Sequence, residues 1–495
     1  MAYPTLQEFV AHLESLGELK RIAYPADPYL EITEIADRVM KSGGPALLFE
    51  RPRGYDVPLL INAFGSYRRM SRALGVDDLE EIAAELAALV QFEMPQSVGQ
   101  MLAMGGRLLP ALMHTRPRRV KDGPCKEVIE RDDPSLDFLP IQTCWPEDGG
   151  PFITLPLVFT RHPVTGKRNV GMYRMQKYDS RTTGMHWQLH KVGAEHHRTA
   201  EARGQRIPVA VALGGDPVLI YAATAPLPPE IDEITFAGWL RKQPIELVRC
   251  ETCDLEVPAG AEVILEGYVD PAERRLEGPF GDHTGYYSLA EEFPVFHLTC
   301  VTRRKQPIYP STIVGRPPME DKYLGLATER IFLPLIRLML PEVVDMHLPA
   351  EACFHNLVIV SIRKRWPGHA FKVINGMWGL GQLMFSKCII VVDEDVNVHD
   401  PVEVVWRVTN NIDAQRDIVF TRGPIDQLDH AGAYPNFGSK MGIDATRKWP
   451  SEGVHRPWPP DIVMSETVKR KVDAIWSELG LGPLPDTTPR RARDW

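Results

Sequence analysis

Apolar residues recur at Leu6, Phe9, Val10, Leu13 and Leu16, and this three-four spacing predicts an amphipathic helix that Gly17 can end. The same period predicts helices over EITEIADRVMKS (31–42) and DDLEEIAAELAALVQ (77–91), the second with an acidic first turn that suits the helix dipole. ALLFE (46–50), directly after Gly43-Gly44-Pro45, is a short apolar strand. Residues 1–115 therefore predict an N-terminal α/β unit, and TRPRRVKDGPC (115–125) is a Pro- and Arg-rich link out of it.

The period then shortens. PLVFTRH (156–162), RNVGMYRMQKY (168–178), IPVAVALGG (207–215), PVLIYAAT (217–224), AEVILEGYV (261–269) and VFHLTCVTRR (295–304) are short β-rich segments separated by turn residues. They predict a barrel or sandwich over 116–315, with a helical turn at FAGWLRK (236–242). In 316–495, LGLATERIFLPLIRLML (324–340) reads as a helix interrupted by Pro334. HNLVIVSIRK (355–364) and KCIIVVDEDV (387–396) are continuous apolar runs on either side of the helical GHAFKVINGMWGLGQLMF (368–385), a pattern of buried parallel strands. A late helix over 468–481 carries Val468, Val472, Ile475, Trp476 and Leu479 on one stripe, and 487–495 reads as a loose tail.

With 495 residues the chain can form roughly two to four domains. Its net charge of −9 excludes the dominant basic face that non-specific nucleic-acid binding needs. No apolar run approaches the roughly 18–20 residues that span a bilayer, and the N-terminus carries acids where a secretory signal has an apolar core, so a cytoplasmic location is expected. The seven cysteines are sparse and odd in number, which fits reduced thiols. Cys250 and Cys253 form a lone CxxC with no further ligands to complete a zinc set, and are read as buried or incidental thiols.

Candidate chemistry concentrates in 277–287, Glu-Gly-Pro-Phe-Gly-Asp-His-Thr-Gly-Tyr-Tyr. Glu277 and Asp282 flank a turn in which Gly278 and Gly281 permit unusual backbone angles and Pro279 fixes one φ. Such a loop can hold two carboxylates at one cavity, where unlike surroundings give them different protonation states. A surface turn with solvated charges accounts for the same residues equally well. Arg174 is a fixed cation able to bind a carboxylate bidentately, and Asn169 offers a neutral oxygen; a regular strand would put them on opposite faces unless Gly171 marks a bulge. His186 and His190 would share a face only in a helix, and His196-His197 lies on a polar segment expected to be solvated.

Ala222-Ala223-Thr224-Ala225-Pro226 is small enough for its backbone to approach a ligand, and Glu233 opens a helix just beyond. An Asn oxygen, a His nitrogen and a Glu oxygen suit Mn²⁺ or Mg²⁺ better than Zn²⁺, but spacing does not show that they meet. Dinucleotide, Walker, nucleophile-elbow and HExxH motifs are absent. Asp393-Glu394-Asp395 with Asp400 reads as a solvated strand end, and GSKMGIDATRKWP (438–450) as a loop.

Together GGPALLFE, IQTCWPEDGGPFIT, NVGMYR, MHWQLHKVG, DEITFAG, EGPFGDHTGYY, GRPPMED, KCIIVVDEDVN and GSKMGIDATRKWP resemble the UbiD family of decarboxylases, in family order. Overall the chain is similar to the bacterial 3-polyprenyl-4-hydroxybenzoate decarboxylase branch. The resemblance implies an α/β multidomain fold: a split β-barrel flavin domain (116–315) between the N-terminal α/β unit (1–115) and a C-terminal α/β domain (316–495) with an oligomerisation helix. It implies reversible, non-oxidative decarboxylation of an aromatic carboxylic acid, with prenylated FMN made by the flavin prenyltransferase UbiX. Mn²⁺ would be held by Asn169, His190 and Glu233, and K⁺ or Na⁺ by carbonyls around Ala222, Ala223 and Ala225. The cofactor would lie along Met172, Tyr173, Arg174, His186, Trp187, Gln188, Lys191 and Val192, with Lys387 near its phosphate. Arg174, Glu277 and Asp282 would be catalytic, Asp282 as proton donor.

A homo-oligomer, dimer or hexamer, is implied, with peripheral contact at the inner membrane if the substrate is the polyprenyl precursor of ubiquinone. Lys191-Val192 departs from the Arg-Gly of that branch and favours a smaller phenolic, naphthoate or heteroaromatic acid as competitor. An oxidoreductase using ordinary FMN and a non-catalytic subunit of a carboxylase complex are the remaining alternatives.

Overall fold

The computed structural model describes residues 3–90, 115–228 and 231–485. The tail read at 487–495 lies outside the described residues. The first helix, Leu6–Ser15, is capped by Thr5, whose hydroxyl accepts the Glu8 N–H, and it buries Leu6, Phe9, Val10 and Leu13. Helix Glu31–Lys41 carries the chain from strand Leu19–Ile22 to its parallel neighbour Ala46–Phe49. Leu59–Ile61 and Tyr309–Pro310 complete this four-stranded sheet, so its last strand comes from the far end of the central segment. A helix at Tyr67–Ala73, capped by Ser66, went unpredicted because its basic run hides the period.

The central segment builds an antiparallel sheet. Its strands run in the order Thr182–Gly184, Glu291–Arg303, Val263–Glu277, Ile207–Leu213, Pro156–Arg161 and Arg168–Met172, with Val128–Glu130 beside Glu291–Arg303. The hydrogen-bonded path is open among the described residues. PVLIYAAT is not a strand. Pro217–Ala222 is a helix: Asp216 caps it by accepting the Val218 N–H, Pro217 sits at its first position, and every residue is buried. Burial on all sides removes the polar half of the period, so a helix and a strand look alike there.

In the C-terminal segment the sheet order is Val343–His347, Leu357–Ile362, Cys388–Asp393, Phe437–Asp444 and Ile418–Pro424. The three middle strands are parallel, as the apolar runs predict, and helix His369–Trp378 makes a crossover. GSKMGID is the strand Phe437–Asp444 rather than a loop. Its Lys440 ammonium is buried and donates to the Ser386 carbonyl at 3.0 Å, so its polar letters mask an interior position. Helix Asp321–Met339 runs unbroken through Pro334. Its Ala327, Ile331 and Phe332 pack in the core shared by the first two segments, and its Leu333 in the C-terminal core. One helix thus joins the two hydrophobic interiors. The late helix, Glu466–Ile475, leaves Val468, Val472 and Ile475 exposed.

Candidate active site

The strands Val263–Glu277 and Glu291–Arg303 outrun their neighbours, and their far ends hold loop 278–290. Glu277, the last residue of the first strand, has no exposed surface. Asp282 follows Phe280–Gly281, which pairs with Tyr287–Ser288 to fold the loop back. Gly281 is required there: a Cβ would lie 2.2 Å from the Trp145 ring. Asp148 pins the turn by accepting the Gly281 N–H at 2.8 Å, and Gln176 accepts the Gly278 N–H at 2.7 Å.

Arg174 meets both acids. Arg174 lies beyond the end of strand Arg168–Met172, so strand alternation does not set its direction relative to Asn169. Its Nε donates to Glu277 Oε1 at 2.9 Å, Nη2 donates to Ser288 Oγ at 3.0 Å, and Nη1 is paired with Asp282 Oδ2. The guanidinium also lies 4.7 Å from the Phe280 ring centroid. His186 closes the other side, with Nδ1 at 2.5 Å from Glu277 Oε2 and its ring against Phe293. Burial pushes the Glu277 carboxyl up, but the His186 hydrogen bond and the Arg174 charge outweigh it and hold it below its ordinary value. Asp282 is likewise pushed up by burial and then driven far below the carboxylate range by His283 and Arg174. Both acids are therefore anions here, and Asp282 needs a proton before it can serve as a donor.

A second set surrounds an adjoining cavity of about 430 Å³, lined by Asn169, Met172, Tyr173, His190, Lys191, Val192, Ala223, Ala225 and Glu233, among others. Glu233 opens helix Glu233–Arg241, and its Oε2 accepts the Val170 N–H at 2.9 Å. Burial pushes its carboxyl up to about 7. A carboxylate, an amide and an imidazole on one cavity wall fit a hard divalent cation. Ala222 lies behind this wall, fully buried. A larger cleft of about 680 Å³ shares Met172, His190 and Lys191 with the first and adds Gln188, His283, Asp321, His355 and the apolar side of helix Asp321–Met339.

His186 and His190 are not on a helix; they diverge, His186 to Glu277 and His190 to the cavities, its ring near Phe385. His196 and His197 are buried in helix Val192–Glu201 rather than solvated, and His196 Nδ1 lies 2.9 Å from Thr160 Oγ1. Lys387 is ion-paired with Asp429 at 2.9 Å. Trp187 is buried in the wall behind the cavities. The Cys250–Cys253 loop closes over Glu266, whose carboxylate accepts the Glu251 and Thr252 N–H groups at 2.6–2.8 Å; that oxygen pair is already satisfied. Asp393 and Asp395 are bound to Arg447, and Asp400 caps the helix Pro401–Asn411, so these acids are structural. Sequence reasoning missed Ser288 and His355; a lone serine carries no signal, and His355 comes from another segment.

The family's 3-octaprenyl-4-hydroxybenzoate carboxy-lyase N-terminal domain matches residues 10–86, its Rift-related domain 118–317 and its C-terminal domain 322–445. The chain belongs to the UbiD family. The members are carboxy-lyases, and the chain is an enzyme of that class. An uncharacterised protein of Archaeoglobus fulgidus is 54% identical over 481 residues, 97% of this chain and 99% of that one. The UbiD-class enzyme HmfF from Pelotomaculum thermopropionicum in complex with FMN is 34% identical, with TM-score 0.77 over 92% of this chain and 97% of that chain. An evolved dimeric form of HmfF, solved with prFMN, gives 32% and 0.76, with 92% and 97% covered. Vanillic acid decarboxylase of Sedimentibacter hydroxybenzoicus in closed form is 28% identical, with TM-score 0.84 over 97% and 100% of the two chains.

Proposed function

We propose that the protein removes CO₂, reversibly and without net oxidation, from an aromatic carboxylic acid with prenylated FMN as cofactor. The observation that carries this is Arg174 bridging two buried carboxylates, directly after Met172 and Tyr173, which line a cavity together with Asn169, His190 and Glu233. In this reading 116–315 is a split β-barrel flavin domain between 1–115 and 316–495. Asn169, His190 and Glu233 would hold Mn²⁺ for the cofactor phosphate, with K⁺ or Na⁺ on carbonyls around Ala222, Ala223 and Ala225. Met172, Tyr173, Arg174, His186, Trp187, Gln188, Lys191 and Val192 would form the flavin walls, with Lys387 near the cofactor phosphate. When bound, prenylated FMN supplies the sink for the electron pair that CO₂ leaves behind.

The chain's own residues do the rest. Arg174 orients the substrate carboxylate and keeps Glu277 charged. Asp282 gives a proton to the carbon that has lost CO₂. Once protonated, Asp282 loses its hold on Arg174 and frees that edge of the guanidinium for a carboxylate. The apolar side of helix Asp321–Met339 excludes water from the aromatic ring.

Co-expression with the flavin prenyltransferase UbiX, followed by CO₂ release and H/D exchange on vanillic, 3,4-dihydroxybenzoic, 4-hydroxybenzoic, 3-polyprenyl-4-hydroxybenzoic, naphthoic and heteroaromatic acids, tests this. Turnover of at least one acid, lost in Asp282→Asn and Glu277→Gln, is expected. Unmodified FMN with NAD(P)H turnover would instead establish an oxidoreductase, and exchange only after adding a partner chain would establish a subunit of a complex. The exposed stripe of helix Glu466–Ile475 supports a homo-oligomer, dimer or hexamer. Activity on the polyprenyl acid would bring in ubiquinone biosynthesis and peripheral membrane contact; among the described residues no helix is long and apolar enough to cross a membrane.

A further inference from the structure

Asp282 delivers a proton in the reading above, yet its surroundings hold it as an anion. The residue beside it resolves this. His283 Nδ1 lies 2.9 Å from Asp282 Oδ1, and the His283 backbone N–H donates to the same oxygen at 2.7 Å. On the opposite side of the ring, His283 Nε2 lies 3.1 Å from His355 Nε2. His355 follows the turn Ala350–Ala352 of the C-terminal segment, and both rings line the 680 Å³ cleft. An imidazolium at His283 donates from both nitrogens at once, to Asp282 and to His355. A neutral ring satisfies only one of the two contacts when His355 keeps its proton on Nδ1.

We propose that His283, steadied by His355, stores the proton that Asp282 delivers. The proposal rests on the decarboxylase reading for the role of Asp282. His283 acts through Asp282 and is a positioning residue rather than a catalytic one.

The charges around the ring favour the stored proton. Asp282 faces it from its own loop, Asp321 from the start of helix Asp321–Met339, and Asp426 from the segment after strand Ile418–Pro424. Asp426 also lies 4.0 Å from His355 Nε2, and Asp429 acts on His355 from the same segment. Arg174 reaches His283 only through Asp282, and Lys191 faces Asp426 across the cleft. Burial pushes His283 down, but Asp282, Asp321 and Asp426 raise it to about 9. Burial pushes His355 down to about 4, so the pair's one proton sits on His283.

The step balances. The proton leaves His283 Nδ1 for Asp282 Oδ1, giving a neutral imidazole that still donates Nε2–H to His355, and a neutral carboxyl that no longer holds Arg174. The carboxyl then gives the proton to the substrate carbon and returns to carboxylate. Cleft water restores one proton to His283, which matches the one proton consumed per decarboxylation.

Two measurements test this on the full chain. In protein labelled with ¹³C-histidine, His283 is expected to titrate at about 9, and lower in Asp282→Asn. On a turned-over acid of the panel, the holoenzyme's kcat is expected to fall above about pH 9. His283→Asn should lose that limb and roughly a hundredfold in kcat, with KM little changed. His355→Gln, whose amide oxygen still accepts from Nε2, should keep the alkaline limb and more of kcat than His355→Leu, which removes the acceptor. Titration of His283 at or below its ordinary value, or an intact alkaline limb in His283→Asn, overturns the store. A holoenzyme that turns over no acid while His283 titrates high overturns the decarboxylase reading, and with it the delivery step, but leaves the charged pair standing.

Discussion

Replacing Glu277 by glutamine changes one charge and almost no volume, so its effect reads the electrostatics of the site. Glu277 is fully buried and takes donors from Arg174 Nε at 2.9 Å and Arg174 Nη2 at 3.5 Å, with His186 Nδ1 at 2.5 Å. A glutamine oxygen can keep the Nε bond. Its NH₂ then faces His186 Nδ1, which must give up its proton and become the acceptor. The proton moves to His186 Nε2, a buried atom with no partner among the described residues, at a cost of about 1–3 kcal/mol. Arg174 also loses one of its two carboxylates, and breaking a buried pair costs about 3–5 kcal/mol when nothing else compensates. Asp282 still compensates, so a total of about 3 kcal/mol is expected. For a cooperative unit of about 200 residues this lowers the melting temperature by roughly 6–12 °C.

The pH dependence follows from the depressed Glu277 value. Its contribution is fully present above the unfolded pKa of about 4.3 and is lost as pH falls through the folded value. The gap between wild type and Glu277→Gln should therefore be constant from about pH 5 to 8 and close only in stronger acid. Thermal scans across that range measure it. Equal melting temperatures at pH 7, or a gap that widens with acid, would refute the charge assignment.

Glu233→Ala should abolish bound Mn²⁺ in metal analysis of dialysed protein while the melting temperature of the metal-free protein changes little; retained stoichiometric Mn²⁺ would refute the ligand set. Gly171→Ala places a Cβ 2.3 Å from the Tyr173 ring and should cost about 1–3 kcal/mol, read by thermal scan, and weaken flavin retention by displacing Tyr173. Charging the late helix with Val472→Asp and Ile475→Asp should shift the mass in light scattering to the monomer; an unchanged oligomer would place the contact elsewhere. Cys250→Ser with Cys253→Ser should leave metal content and kcat close to wild type, because the Glu266 oxygens are already held by backbone N–H groups.

Much of the fold was legible locally. The stripe from Leu6 to Leu13, the helix from Glu31, and the apolar parallel strands at 357–362 and 388–393 all follow from which face is buried. Two segments misled for one reason. At 217–222 everything is buried, and at 437–444 a buried lysine imitates a surface residue, so the polar-apolar period fails in opposite directions. His196-His197 failed likewise, because two polar letters turned out to be interior.

The site divides along the same line. Motif order alone pointed to Arg174, Glu277 and Asp282, and to Asn169, His190 and Glu233, as two sets of interest. Only the tertiary structure decided that Arg174 bridges both acids, that His186 meets Glu277, that Lys387 pairs with Asp429, and that His355 reaches His283. A sequence records which side chains are apolar or charged and how they repeat, and these quantities act over a few residues. Proton affinity and ion pairing depend on distances of about 3 Å and on exclusion of water, which a chain acquires only when segments far apart in sequence close on one another.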